Sequence, residues 1–188
     1  MRNIKLFALL LCLPVMLFAS CSGDTDEISA SSDAQSTSAS SASCVEICDS
    51  AYQIETKASG ITSHNVYSNE GTQLDEFMTS SYYGTLLESP DLTTYEGYAV
   101  FITDEPVVSE FGIFKSSDQA LIDQAEEFCA RRLEAIRKKY EGYKPELVAA
   151  AEGALCETYS GYVYYIATTE SNEEIRNIIR GMIDGSHN

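Results

Sequence analysis

The groups able to carry chemistry in this chain are few in kind: two histidines, six cysteines and a large excess of carboxylates, 29 Asp and Glu against 12 Lys and Arg. His64 and His187 stand apart from any serine, cysteine or carboxylate in the spacing of a nucleophile, base and orienting acid. The chain has no glycine-rich phosphate loop and no paired-histidine zinc motif. Cys44-Val45-Glu46-Ile47-Cys48 separates its thiols by three residues, where redox and zinc-knuckle motifs use two, and no second pair accompanies it. It reads as a local disulfide or as two free thiols. Asp24-Thr25-Asp26-Glu27 is the tightest acidic cluster, but it lacks the turn glycine and the terminal glutamate of a calcium loop. These patterns predict no catalytic residue, no metal site and no cofactor.

Cys21 has chemistry of another kind. The chain opens with a short positive stretch, Arg2 to Lys5, and continues with an apolar run from Leu6 to Ala19. That run is short for a membrane span of about 20 residues and suits the core of a signal peptide. Phe18-Ala19-Ser20-Cys21 follows and resembles the lipobox of bacterial lipoproteins, with Phe18 where leucine is usual. The resemblance implies cleavage before Cys21, a diacylglycerol thioether on its sulfur and attachment to the outer face of the cell membrane, since two acyl chains hold where one is marginal. Residues 22–43 are almost all Ser, Ala, Thr and Asp, too polar to bury a core of their own. They read as a tether with a typical reach of roughly 25 Å. The expected organisation is a signal peptide over residues 1–20, a lipidated cysteine and tether over 21–44, and one folded domain over 45–188.

Charge narrows the partners. The whole chain carries −17; without Arg2 and Lys5 it has ten basic against 29 acidic residues, or −19. Such a domain repels phosphate backbones and anionic headgroups, so nucleic acid is excluded as a partner. A cell-envelope protein or a wall polymer remains, beside the membrane reached through Cys21. A non-enzymatic binding or interaction module is the leading reading, and an extracytoplasmic enzyme with an unrecognised site is the alternative.

Four residues stand out as a surface of use. Arg132 falls within the apolar arc of a long helix, where a guanidinium must meet an anion, supplied by a ligand or by the protein, unless it snorkels to the surface. Tyr159, Tyr162 and Tyr164 share one face of a predicted hairpin. If helices cover only the other face, carrying Cys156, Val163, Tyr165 and Ala167, these three rings form an open aromatic strip suited to sugars or peptides. The alternative is that they pack beneath the segment 45–70 or serve as cross-strand partners.

The elements that must hold these residues are mostly readable. Leu74, Phe77, Met78 and Tyr82 predict a helical face over 72–83. Residues 97–102 and 110–115 read as a hairpin around Asp104-Glu105-Pro106. A helix over 117–140 is expected, with Ser116 and Gln119 as a capping box and an apolar stripe of Leu121, Ala125, Phe128, Cys129, Leu133, Ile136 and Tyr140. Cys129 and Cys156 read as small buried hydrophobes or a structural disulfide. Pro145 suits the start of a further helix to about Glu152. Residues 155–159 and 162–168 predict a second hairpin about Ser160-Gly161. Ser171 and Glu174 suggest a second capping box, before a helix striped by Ile175, Ile178, Ile179, Met182 and Ile183. Residues 45–70 show no clean period. The sum is an α+β fold: a mainly antiparallel sheet of about four strands in two hairpins, with helices packed on it.

Several of these segments also resemble the domain of unknown function numbered four-three-five-eight, a family of small bacterial lipoproteins. The residues that carry the likeness are Glu110-Phe111-Gly112-Ile113-Phe114-Lys115, Arg132-Leu133-Glu134-Ala135, Tyr140-Glu141-Gly142-Tyr143-Lys144-Pro145-Glu146 and Ser160-Gly161-Tyr162-Val163. Residues 72–184 are covered, more loosely before 102. The family usually has Gly-Asn at the Ser160-Gly161 turn. The resemblance transfers no activity and no site residue.

Overall fold

A computed structural model describes residues 42–186. Cys21 with its lipobox, the stretch through residue 41, and His187 lie outside the described residues. Within them five helices and one sheet form an α+β fold. The chain order is α1 (Cys44–Ser59), β1 (His64–Ser68), α2 (Glu76–Tyr83), a short 3-10 turn (Leu92–Thr94), β2 (Gly97–Thr103), β3 (Ser109–Lys115), α3 (Gln119–Tyr140), α4 (Pro145–Glu152), β4 (Leu155–Tyr159), β5 (Tyr162–Thr168) and α5 (Asn172–Ile183). The sheet runs β1-β2-β3-β5-β4 and every neighbouring pair is antiparallel. It has five strands rather than four, because β1 lies in the segment without a readable period.

That segment also holds α1, whose start is written in its own residues. Ser43 accepts from the Glu46 amide while the Glu46 carboxylate accepts from the Ser43 amide, a complete capping box. Gly60 closes the helix at φ 71°, a left-handed position that suits glycine. Cys44, Ile47, Cys48 and Ala51 are buried along one side. Both cysteines are free thiols; burial pushes Cys44 up to about 12 and Cys48 higher still, which disfavours the thiolate at both.

The caps expected of two later helices are built differently. The Asp118 side chain, not Ser116 with Gln119, caps α3 by accepting from the Ala120 amide. Ile122 takes a buried place on its stripe, and Leu121 is only partly buried. The Glu127–Arg131 and Glu134–Lys138 pairs form on its outer face at 3.8 and 3.5 Å. At α5 the Ser171 hydroxyl makes no helix cap, because it is drawn instead to the buried Glu55 carboxylate, which also accepts from Ser109 at 2.6 Å. Helix α2 begins at Glu76, not Thr72, because Asp75 caps the Met78 amide at 2.7 Å. Leu74 is therefore buried outside the helix, and Phe77, expected on the apolar face, is 81% exposed.

The sheet divides the core in two. Tyr98, Val100, Phe114, Val163, Tyr165 and Ala167 face α2, α3 and α4. Ala99, Phe101, Phe111, Ile113, Tyr162, Tyr164 and Ile166 face α1 and α5. The second hairpin has the expected register, Tyr159 opposite Tyr162 and Glu157 opposite Tyr164. Its turn puts Ser160 at φ 50° and Gly161 at φ 81°, the two positive values of a type I′ hairpin. The open aromatic strip does not exist. Tyr162 and Tyr164 are 1% and 0% exposed, because α1 and α5 cover the face that was expected to be free. β5 is buried along its whole length, and a strand buried on both faces reads as one apolar run without alternation.

The hydroxyls of these buried rings find partners at the margins. Tyr162 donates to the Ala42 carbonyl at 2.7 Å, and Tyr159 to Asp184 at 2.9 Å. Tyr164 donates to Glu157 at 2.6 Å; Arg180 donates to both, and Arg176 lies 3.6 Å from the same carboxylate. Burial opposes the charge on Glu157, but the Tyr164 hydroxyl and the two guanidinium groups outweigh it and hold the carboxyl below its ordinary value. A group depressed in the folded state contributes stability that is present above its unfolded pKa and is lost as pH falls through the folded one. The wild-type domain should therefore lose stability through this group as pH falls below the ordinary glutamate range. In urea melts from neutral to acid pH, Glu157→Gln should show a shallower decline; parallel declines would show that the cluster contributes nothing.

Candidate functional site

Three of the expected surface residues lie in the α5 face and bring no site with them. Arg132 is different. It leaves α3 toward the sheet, where Glu110 rises from β3 to meet it. Nε donates to Oε1 at 2.6 Å and Nη2 to Oε2 at 2.5 Å, the two-pronged geometry that matches a planar guanidinium to a carboxylate. The guanidinium also lies over the Tyr82 ring, 4.3 Å from its centre. The two side chains are 15% and 9% exposed. Of the fates open to Arg132, pairing with a protein carboxylate is the one realised. Burial works against its charge, but the hydrogen bonds and field of Glu110 more than offset this and hold the guanidinium above its ordinary value.

Glu110 is bound from a third side. Tyr165 donates to Oε1 at 2.6 Å, and the Tyr83 hydroxyl lies 2.9 Å from that of Tyr165. The single phenolic proton of Tyr165 is committed to Glu110, so Tyr83 is the donor in the second bond. Burial pushes both phenols well above their usual value, which keeps them neutral donors. This chain of bonds depends on Gly112. It sits opposite Tyr165 in the β3–β5 ladder, and a Cβ built on it would stand 2.5 Å from the Tyr165 ring. The bare backbone lets that ring lie across β3 and reach the carboxylate two residues away.

Above the pair opens a cavity of about 290 Å³. One wall comes from α3, with Arg132, Ile136, Lys139 and Tyr140; the other comes from the ends of β2 and β3, with Ile102, Asp104, Val108 and Glu110. Tyr140 donates to the Val107 carbonyl at 2.7 Å and ties the two walls at one end. Among the described residues, Arg132 Nη1 has no hydrogen-bond partner, and Lys139 has no carboxylate within ion-pairing distance. Asp104 accepts from Asn65 at 2.9 Å and Ser63 at 3.4 Å through Oδ2, and its Oδ1 is uncommitted. A groove of about 350 Å³ beside α2 is larger, but its charged residues are Glu76 and Asp91 only, so it offers no opposed charges.

The remaining reactive groups do not converge there. His64 stacks on Tyr52 and Phe101, with ring centres 4.4 and 5.3 Å away. Cys129 and Cys156 are free thiols in hydrogen-bond contact; burial raises Cys129 far above its usual value, and donation from Cys129 lowers Cys156. Among the described residues no group of three or more metal-ligating side chains occurs, and no helix is long and apolar enough to cross a membrane. Glu110, Asp104 and Lys139 were not singled out from sequence. The signal for Glu110 was present: it is the lone acid in Glu110-Phe111-Gly112-Ile113-Phe114, on the strand face that α3 must cover, and Arg132 is the base on the facing helix arc.

Comparison with known proteins places the chain without assigning an activity. No curated protein and no solved structure matches it. A family described as Domain of unknown function (DUF4358) matches residues 73–168. That segment holds α2, α3, α4 and every strand except β1, and it contains every residue lining the cavity above Glu110. The chain belongs to this family of unknown function.

Proposed function

We propose that the chain is a lipid-anchored extracytoplasmic protein whose domain binds and does not catalyse, with the cavity above Glu110 and Arg132 as its binding site. One observation carries the second part. The buried carboxylate at the cavity floor accepts two bonds from Arg132 and one from Tyr165, which fix it as part of the floor and engage both of its oxygens with the protein rather than with a ligand. The neighbouring Ser109 hydroxyl is committed to Glu55, outside the cavity. The Glu110–Arg132 pair forms a rigid, neutral floor under a mouth lined by Lys139 and Asp104, which suits recognition. The ligand is a component of the cell envelope, a protein or a wall polymer, or a small molecule held there.

The anchoring reading rests on Phe18-Ala19-Ser20-Cys21 behind a short apolar core. Mass spectrometry of the mature protein is expected to find residues 1–20 removed and a diacylglyceryl group on Cys21. A Cys21→Ala chain that remained membrane-bound to the wild-type extent would end that reading. For the binding part, the mature full-length chain is incubated with envelope material. Retention without chemical change is expected, and it should weaken in Lys139→Glu, which alters an exposed lip residue and spares the core. Conversion of any envelope component by the wild-type chain, abolished in the same variant, would overturn it in favour of an enzyme.

A further inference from the structure

The cavity presents two opposite charges with nothing between them. Lys139 is seven residues beyond Arg132 on α3, so the two cations sit on one side of that helix about 10 Å apart along its axis. Asp104 belongs to the other wall, just past the end of β2. Lys139 and Asp104 both line the mouth but do not form an ion pair. The protein has also committed the opposite half of each recognition group. Arg132 uses Nε and Nη2 on Glu110 and keeps Nη1; Asp104 uses Oδ2 on Asn65 and Ser63 and keeps Oδ1. Both groups are thereby held in place while one atom of each remains to be satisfied. The lining between them is largely polar, with an apolar patch from Ile102, Val107, Val108, Ile136 and Ala167.

We infer that the cavity takes a small zwitterion, an amino acid or a dipeptide, with its carboxylate toward Arg132 Nη1 and Lys139 and its ammonium toward Asp104 Oδ1. The inference rests on the binding reading above and names the ligand class. The chemistry selects the class by exclusion. A simple anion would leave Asp104 facing it, and a simple cation would leave Lys139 facing it; like charges at close range are penalised. A zwitterion satisfies both ends at once, and a small side chain meets the apolar patch. At about 290 Å³ the cavity is at the low end of ligand sites, which limits the ligand to a small molecule. Rigid, half-committed recognition groups also lose little freedom when they bind.

The test uses the mature chain and four probes: alanylalanine, its methyl ester, propionate and ethylammonium. Binding is followed by calorimetry and by NMR shifts of cavity residues. Alanylalanine should bind with a dissociation constant of about 1 mM or tighter, and the three controls at least about tenfold more weakly. Lys139→Gln and Asp104→Asn should each weaken alanylalanine about tenfold or more while leaving the melting temperature unchanged, since both residues are exposed. Equal binding of the ester, or wild-type affinity in both variants, would overturn the zwitterion. So would the absence of any shift at about 10 mM dipeptide. If envelope retention persists while no zwitterion binds, only the ligand class falls; if retention is lost as well, the binding reading falls with it.

Discussion

Arg132→Ala should destabilise the domain by about 3–5 kcal/mol, the usual cost of stranding one member of a buried ion pair. The cost arises at Glu110. Its side chain is 9% exposed and would lose two of its three donors, keeping only Tyr165. Truncation also removes the aliphatic stem of Arg132 and the cation over Tyr82. Charge and packing are separable by a second variant. Arg132→Met with Glu110→Leu keeps the volume and removes both charges, and should recover most of the loss, because a buried pair is seldom more stable than well-packed hydrophobes. Urea denaturation of the wild type and the two variants decides the point. A loss below about 1 kcal/mol in Arg132→Ala would mean that water, not protein, already satisfies Glu110.

Gly112→Ala should cost about 3 kcal/mol, or roughly 10 °C in melting temperature, although it adds a single methyl group. The added carbon would meet Cε1 of Tyr165 at 2.5 Å and the Phe114 ring at 3.2 Å. Neither ring can retreat. Tyr165 is 0% exposed and held at its hydroxyl by Glu110 and Tyr83; Phe114 packs edge-on against Tyr83 and Phe128. Pairing with Tyr165→Phe would show which loss dominates. If the damage is loss of the hydroxyl chain, the double variant should be no worse than Tyr165→Phe alone; if it is the clash at the ring, the two costs should accumulate. Thermal melts of the three variants measure this, and a Gly112→Ala melting temperature within about 2 °C of wild type would refute the close approach.

How far the sequence could be read follows from where each element gets its stability. α3, α4, β4 and β5 were legible because each carries its own signal: a long apolar stripe, a proline at the first turn, or a Ser-Gly turn between two β-rich runs. α1 was not, although Ser43 and Glu46 formed a complete cap, because its buried face is built of two cysteines, Ala51 and the charged Glu55, with Ile47 its one large hydrophobe. β1 has only Val66 and Tyr67 as strand formers among its five residues, and owes its place to pairing with β2. Missing these two elements removed the cover from one sheet face and turned buried tyrosines into a supposed surface. The seven uncharged residues of β5 already argued against that, as did the isoleucine stripe of α5, which needed a face to lie on. At the cavity, Arg132 was legible because it breaks a helical stripe. Asp104 and Lys139 were not, because an exposed acid and an exposed base acquire meaning only when folding sets them across one opening.

The cover over that sheet face has a kinetic side. It is made by the first and last helices of the domain, and the Tyr162 hydroxyl that reaches Ala42 spans 120 residues of chain. Contacts so far apart in sequence form late, because loop closure must precede them. Tyr164 and Ile166 on β5, the strand against which the final helix packs, therefore stay uncovered until that helix has been made. A polypeptide emerging from its amino end holds all five strands, and the whole of the cavity above Glu110, before it can hide this part of the apolar face. The length of that interval, set by how soon residues 172–183 arrive, governs how much of the chain reaches its native form and how much is lost to self-association.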